Sequence, residues 1–206
     1  MGNKNIQTIV AQTIQSPFEL NKLIRSKLSE KRYLHSRGVV SFSLCLATKY
    51  GYTAYPSVVA GLLHDVAKDY SYEYLQKIIE DSSLYIDDYT LNHPGLWHAP
   101  VASWFAENKC GISNKKILTA IGNHPLGKPA MNTVELILFI ADYCEPYRKL
   151  FNPAKIRHIA FHNPELAACL ILNEKHRCLY NQGIEPHPQS LEAFSYYKKI
   201  TGVKLS

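Results

Sequence analysis

The sequence predicts an all-α, single-domain helical bundle, and three observations predict it. Apolar residues recur at helical spacing through most of the chain, whereas the alternation of a half-buried strand is hard to find. Helix punctuation is regular: Pro56, Pro100, Pro153 and Pro164 suit first turns, and Gly51, Gly111 and Gly183 stand in stopping positions. The composition is that of an ordinary globular chain, with 46% hydrophobic and 19% charged residues over 206 positions, enough to bury a substantial core. No repeat of fixed period and no low-complexity linker divides the chain. Residues 1–20 read as an N-terminal extension or leading helix, and 21–206 as the domain.

Taken in order, the pattern is helical from Ser16 to Tyr50, with His35, Val39, Phe42 and Leu46 on one stripe and Gly51 as the stop. Pro56 falls in the first turn of a helix through Val58, Val59, Leu62 and Leu63 to about Lys68. Tyr70 to Glu80 is amphipathic, and the acidic stretch from Asp81 to Asp88 reads as a loop. Pro100 opens a helix through Val101 and Phe105 to about Asn108. Ser113 is placed to cap the next, where Ile117, Ala120, Ile121 and His124 share a face. Pro125, Gly127 and Pro129 make a loop, and Asn132 with Glu135 has the spacing of a capping box for a helix to Glu145. Asn152-Pro153 and Asn163-Pro164 begin two more, and a last helix runs from about Ser190 to Thr201.

Charge and cysteine usage exclude several function classes. The net charge of +6 is scattered, with runs no longer than Lys115-Lys116 or Lys198-Lys199, so a nucleic-acid polymer is not the expected partner. The five cysteines (Cys45, Cys110, Cys144, Cys169, Cys178) are an odd set without a C-x-x-C pair, which argues against a disulfide framework and reads as small core residues in a reducing cytosol. The longest apolar stretch, Val134 to Ala141, contains Glu135 and is too short to span a bilayer, so a cytoplasmic protein without a membrane partner is expected.

Chemistry is signalled where histidines and aspartates interrupt the apolar stripes. His35 continues the Val39–Phe42–Leu46 stripe, His64-Asp65 ends the run from Val58, His98 sits ahead of Pro100, His124 extends the Ile117–Ile121 stripe, and Asp142 lies one turn after Leu138. Burying an unpaired imidazole or carboxylate costs several kcal/mol. A divalent cation resolves that conflict by compensating carboxylates and taking imidazole lone pairs. Any one of these residues alone fits a hydrogen-bonded core position; Asp142 alone also fits a pairing with Arg148. The adjacent pair His64-Asp65 is more specific, since helix neighbours diverge by about 100° and converge only on an ion lying between them. Lys68 follows one turn on and faces the same region. His93, His158, His162 and His176 lack this context and read as surface or packing residues, while Trp97 reads as a pocket wall.

The order His35, His64-Asp65, His98, His124, Asp142 resembles the HD superfamily of metal-dependent phosphohydrolases. The surrounding segments Arg32–Val39, Ala60–Lys68, Leu96–Val101, Ile121–His124, Gly127–Met131, Ile140–Arg148 and Gly183–Pro188 are similar to its YqeK-type branch, over about residues 20–200. Where that branch carries a small hydroxyl residue after the fourth-segment histidine, this chain has Pro125, which removes a hydroxyl and a backbone donor. Trp97 and Ala99 also depart from the branch's usual aliphatic and glycine.

The resemblance implies a symmetrical bis(5′-nucleosyl)-tetraphosphatase, cutting diadenosine tetraphosphate into two ADP by attack of metal-held hydroxide on a phosphoanhydride. It implies metal ligation by His35, His64, Asp65 and Asp142, with iron first among the divalent transition metals and one or two ions. His98 and His124 would ligate a second ion or contact phosphate. Asp65, Lys68 and Arg148 would carry the catalysis; Arg32, Lys68, His98, His124, Arg148 and His187 would bind a dinucleoside polyphosphate or related nucleotide. A homodimer is allowed for. Two alternatives stay open: an HD phosphohydrolase of a nucleoside mono- or triphosphate or cyclic nucleotide, and a catalytically weak nucleotide-binding protein.

Overall fold

The computed structural model describes residues 16–148 and 153–205. Eleven helices and no strands occur among them: α1 Pro17–Lys27, α2 Glu30–Lys49, α3 Ala54–Leu63, α4 Tyr72–Asp81, α5 Asp88–Leu91, α6 His98–Cys110, α7 Lys115–Asn123, α8 Thr133–Cys144, α9 Pro153–Ala160, α10 Pro164–Tyr180 and α11 Pro188–Thr201. The all-α expectation is met. The expected leading helix or arm over 1–20 lies outside the described residues up to position 15, and α1 begins at Pro17.

Several boundaries differ from the local signals, each for a tertiary reason. The helical stretch from Ser16 to Tyr50 is two helices, because Leu28 and Ser29 are extended and the Ser29 amide donates to Asp69 Oδ2 at 2.8 Å. The third helix stops at Leu63 rather than Lys68; tight turns follow, with Lys68 N–H bonding the Asp65 carbonyl at 2.9 Å. The acidic loop ends in the short α5, capped by Asp87, whose side chain accepts from Thr90 N at 2.9 Å. Helix α6 begins at His98, two residues before Pro100, and α7 is capped by Asn114 rather than Ser113, its side chain accepting from Lys116 N at 3.0 Å. The Asn132–Glu135 capping box is present as expected.

The core is built around α8, which packs on α2, α3, α7, α9 and α10 and is buried along nearly its whole length. Leu46, Val59, Leu63, Ile121, Leu138, Ile171 and Leu172 are fully buried around it, each contributing about 1.5–3 kcal/mol on leaving water. Helices α2 and α3 pack along each other, and a Cβ on Gly61 would stand 3.1 Å from Val40 Cγ2. This approach sets His35 on α2 beside the end of α3. Cys110, Cys144 and Cys169 are buried, but Cys45 and Cys178 are exposed, so two of the five are not core residues; all are free thiols. No helix among the described residues is long and apolar enough to cross a membrane.

Candidate metal centre

Five elements deliver side chains to one buried point. His35 comes from the middle of α2, His64 and Asp65 from the end of α3 and the turn beyond it, His98 from the first residue of α6, His124 from the cap of α7 and Asp142 from the last turn of α8. The stop at Leu63 matters here. Helix neighbours diverge by about 100°, but the turn after α3 lets both His64 and Asp65 face inward, with Nε2 and Oδ2 3.7 Å apart.

His35 Nε2 lies 3.0 Å from Asp142 Oδ1, 3.3 Å from His64 Nε2 and 4.0 Å from Asp65 Oδ2; His64 Nε2 is 3.8 Å from Asp142 Oδ1. On the other side of the same carboxylate, Asp65 Oδ1 lies 3.5 Å from both His98 Nε2 and His124 Nε2, which stand 3.3 Å from each other. One buried carboxylate thus presents one oxygen to each of two imidazole pairs.

Hydrogen bonding fixes three of the four imidazoles in the tautomer that aims a lone pair at this centre. His64, His98 and His124 each place Nδ1 on the carbonyl three residues earlier, Gly61, Gly95 and Ile121, at 2.9, 2.8 and 2.8 Å. A carbonyl only accepts, so Nδ1 carries the proton and Nε2 is bare. His35 lies between two carboxylates, with Glu145 Oε1 3.2 Å from Nδ1 and Asp142 Oδ1 3.0 Å from Nε2, and can donate to either. Lone pairs therefore face one another at 3.3 Å between His98 and His124, and an ion bound at His35 Nε2 would leave Nδ1 to donate to Glu145. Burial pushes His64 down to about 4 and, with neighbouring His124 and Lys68, pushes His98 well below its usual value, so both stay neutral near pH 7. His35 moves the other way: burial lowers it, but the Asp142 hydrogen bond and charge outweigh that. Burial raises both carboxyls, yet the imidazoles around Asp65, and His35 and Arg148 beside Asp142, hold them well below the ordinary range.

This donor set fits a metal ion. Ligand atoms about 2.1 Å from a common ion, at angles of about 90–145°, stand about 3.0–4.0 Å apart, which is the span of the contacts among His35, His64, Asp65 and Asp142. The groups His35–His64–Asp142 and His64–Asp65–His124 each bring their donors within 4.8 Å. Mixed imidazole and carboxylate ligation suits iron, manganese, zinc, cobalt or nickel.

Cations ring the opening. Arg32 Nε donates to Asp69 Oδ1 at 2.5 Å, with its Nη1 3.7 Å from Asp65 Oδ2. Arg148 Nη2 donates to Asp142 Oδ1 at 2.8 Å, and Lys68 Nζ lies 3.0 Å from His98 Nε2. All of them line a cavity of about 1400 Å³, larger than the roughly 300–1,000 Å³ usual for a drug-sized ligand.

His187 also lines the cavity, with both ring nitrogens engaged: Nδ1 accepts from Gln189 N at 3.0 Å, and Nε2 donates to Asp87 Oδ1 at 3.0 Å. It can therefore offer a substrate its ring edge and face. His93 and His176, expected as bland residues, line the cavity too, His176 through a bond to Ser190 Oγ at 2.9 Å; Trp97 is buried in the core and not among the lining residues. His158 and His162 are apart from the centre, on or just after α9.

Glu145 was not singled out from the sequence, and it orients the centre. Its Oε2 also accepts from Tyr147 N at 2.6 Å, and it is 2% exposed. The signal was its place three residues after Asp142 at the end of an apolar helix. Lys175 was missed as well, although it continues the Ala168–Ile171–Leu172 stripe of α10 into the cavity.

The HD domain family matches residues 32–147, which takes in all six converging side chains. A symmetrical bis(5′-nucleosyl)-tetraphosphatase of Bacillus subtilis (strain 168) is 31% identical over 168 residues, covering 79% of this chain and 88% of its own. One from Staphylococcus aureus (strain NCTC 8325 / PS 47) is 30% identical over 178 residues, covering 85% and 91%. A crystal structure of an HD superfamily hydrolase described as involved in NAD metabolism, from Clostridium acetobutylicum, is similar at a TM-score of 0.85 and 28% identity, over 90% of this chain and 98% of that one. With the family match spanning more than half the chain and these relatives aligned along most of it, the chain belongs to the HD-domain family of phosphohydrolases, in its YqeK-type branch.

Proposed function

We propose that this phosphohydrolase splits diadenosine tetraphosphate in the middle: one water is consumed, the central P–O–P bridge is broken, and two ADP leave. The observation that carries the reading is the shared Asp65 carboxylate, one oxygen toward His35 and His64 and the other toward His98 and His124, at the floor of a cavity large enough for two nucleoside halves. The names of the two tetraphosphatase relatives support the substrate.

His35, His64, Asp65 and Asp142 would hold one divalent ion, and Asp65, His98 and His124 a second. Iron is the first choice by resemblance to the branch. Bound there, such ions supply Lewis acidity toward phosphoryl oxygens and make water acidic enough to lose a proton near neutral pH. The chain's residues do the rest. Arg32, Lys68 and Arg148 face the cavity mouth, where phosphate oxygens gain negative charge as the bridge breaks. An arginine fork meets two such oxygens at once. Arg148 also holds Asp142 in place through Nη2, leaving Nη1 for substrate, since Nε is buried. No side-chain base is assigned. The free thiols and the absence of a membrane-crossing helix among the described residues support a cytoplasmic setting.

Product analysis tests the proposal. Metal-loaded protein incubated with diadenosine tetraphosphate should yield ADP alone, with one of each two ADP molecules labelled when the reaction runs in H₂¹⁸O. AMP plus ATP, no turnover, or faster hydrolysis of a nucleoside mono- or triphosphate or a cyclic nucleotide would overturn it.

A further inference from the structure

Lys175 lies on α10, beyond the segment that matches the HD domain, yet its ammonium reaches into the site. Nζ donates to the carbonyl of Pro125, the residue after His124, at 2.7 Å, and sits over the Phe139 ring 4.7 Å from its centroid. It lines the same cavity as the metal centre. An ammonium has three N–H donors. One goes to Pro125 and the ring takes up a second side, which leaves donor capacity toward the cavity.

The charge around it is unbalanced. Arg32 and Arg148 are neutralised by Asp69 and Asp142 at 2.5 and 2.8 Å. Elsewhere, Lys128 and Lys115 meet Glu135 and Glu107 at 2.9 and 2.8 Å. Among the described residues no carboxylate stands within ion-pair distance of Lys175; its hydrogen-bond and ring partners are Pro125 and Phe139. Burial pushes its pKa down to about 8, opposed by the more distant Asp142. Withdrawing an ammonium from water without a counter-charge is costly, and an anion drawn into the cavity removes that cost. The Pro125 turn makes the placement workable. Proline offers no N–H but leaves its carbonyl free, and that carbonyl anchors the lysine beside His124.

We propose that Lys175 is a phosphate-binding residue, a second uncompensated cation besides Lys68, which takes the diphosphate of one nucleoside half beside His124. The proposal rests on the polyphosphate reading above and deepens it. Cleavage at the middle of a tetraphosphate requires a hold on phosphates to both sides of the broken bridge, and a cation from α10 supplies a hold that the HD segment itself does not contain.

Calorimetric titration of metal-loaded protein with inorganic pyrophosphate tests the site, alongside steady-state kinetics on diadenosine tetraphosphate. Lys175→Gln keeps an N–H for the Pro125 carbonyl and removes the charge. It should weaken pyrophosphate about tenfold, a loss of about 1.4 kcal/mol, and flatten the salt dependence of binding. KM should rise more than kcat falls, and Lys175→Arg should restore most of the affinity. A wild-type protein that does not bind pyrophosphate, or a Lys175→Gln variant that binds it as wild type with an unchanged salt dependence, overturns the proposal. If the substrate reading fails, because no ADP forms, while pyrophosphate affinity still depends on the charge at 175, the anion site stands alone. If ADP forms but neither pyrophosphate affinity nor KM responds, Lys175 serves only to pin the Pro125 turn.

Discussion

Gly38→Ala offers a sharp test of how the metal centre is supported. Gly38 lies inside α2, one turn after His35, where glycine is ordinarily a poor choice; alanine in mid-helix is favoured by about 0.5–1 kcal/mol. At this position, however, a Cβ would stand 2.4 Å from Glu145 Oε2, 3.2 Å from Glu145 Cδ and 3.0 Å from Tyr147 Cδ2. Ordinary contact begins at 3.4 Å, so the carboxylate has to retreat by about 1 Å. That retreat breaks the His35 Nδ1–Glu145 bond, already 3.2 Å long, and disturbs the bond to Tyr147 N. Losing the partner of a ligating imidazole costs roughly 10–100-fold in metal affinity, or about 1.4–2.7 kcal/mol. Chelator competition on purified Gly38→Ala should show that loss, and Glu145→Gln, which keeps the volume and removes the charge, should show a comparable one. The metal-free alanine variant should also melt below wild type, against its helix preference, because overpacking costs about 1–3 kcal/mol. Wild-type ion affinity in both variants would refute the role given to Glu145, and a raised melting temperature for Gly38→Ala would refute the clash.

Two further outcomes follow from the same geometry. Asp65→Asn should bring metal content to background and abolish hydrolysis, since both imidazole pairs lose the carboxylate between them, whereas on the proposed two-ion reading His98→Gln should lose one ion and keep the other; elemental analysis reads both. The depressed pKa of Lys175 makes a statement about stability with a fixed sign. The unfolded chain, with an ordinary lysine near 10.5, binds more protons than the folded one between about 8 and 10.5, so this group adds stability as pH rises through that window. The stability difference between Lys175→Met and wild type should therefore move in favour of wild type from pH 7 to pH 10, as followed by chemical denaturation.

The bundle and the convergent histidines and aspartates were legible because each of those polar side chains breaks a stripe that the fold would otherwise keep apolar. Lys175 obeys the same rule on α10, but a lysine ending an apolar stripe equally marks a side chain that carries its charge out to solvent. The helix breaks at Ser29 and after Leu63 were not legible. The first depends on Asp69, forty positions away, and the second on tight turns inside the packed centre. His93 looked bland because the turn after short α5 brings it to the cavity without a periodic signal, and His176 because its place on the buried face of α10 reads as packing.

The segment that matches the HD domain ends at Tyr147, but the centre it contains is not held by that segment alone. Asp142 and Glu145 sit at the C-terminal end of α8, where a helix leaves its last carbonyls without partners. Arg157 on α9 supplies them: Nε donates to the Cys144 carbonyl at 2.6 Å and Nη2 to that of Glu145 at 2.7 Å. A cation at this end also suits the helix dipole. Through that contact α9 fixes the backbone from which Asp142 reaches His35 and Glu145 reaches the opposite ring nitrogen. Helix α10 then packs on both α8 and α9 and delivers Lys175 to the turn after His124. The C-terminal helices are therefore part of the geometry of the metal centre as well as a wall of its cavity. A change at Arg157 should therefore reach the ion through the end of α8, whereas a change at Lys175 should reach the substrate directly.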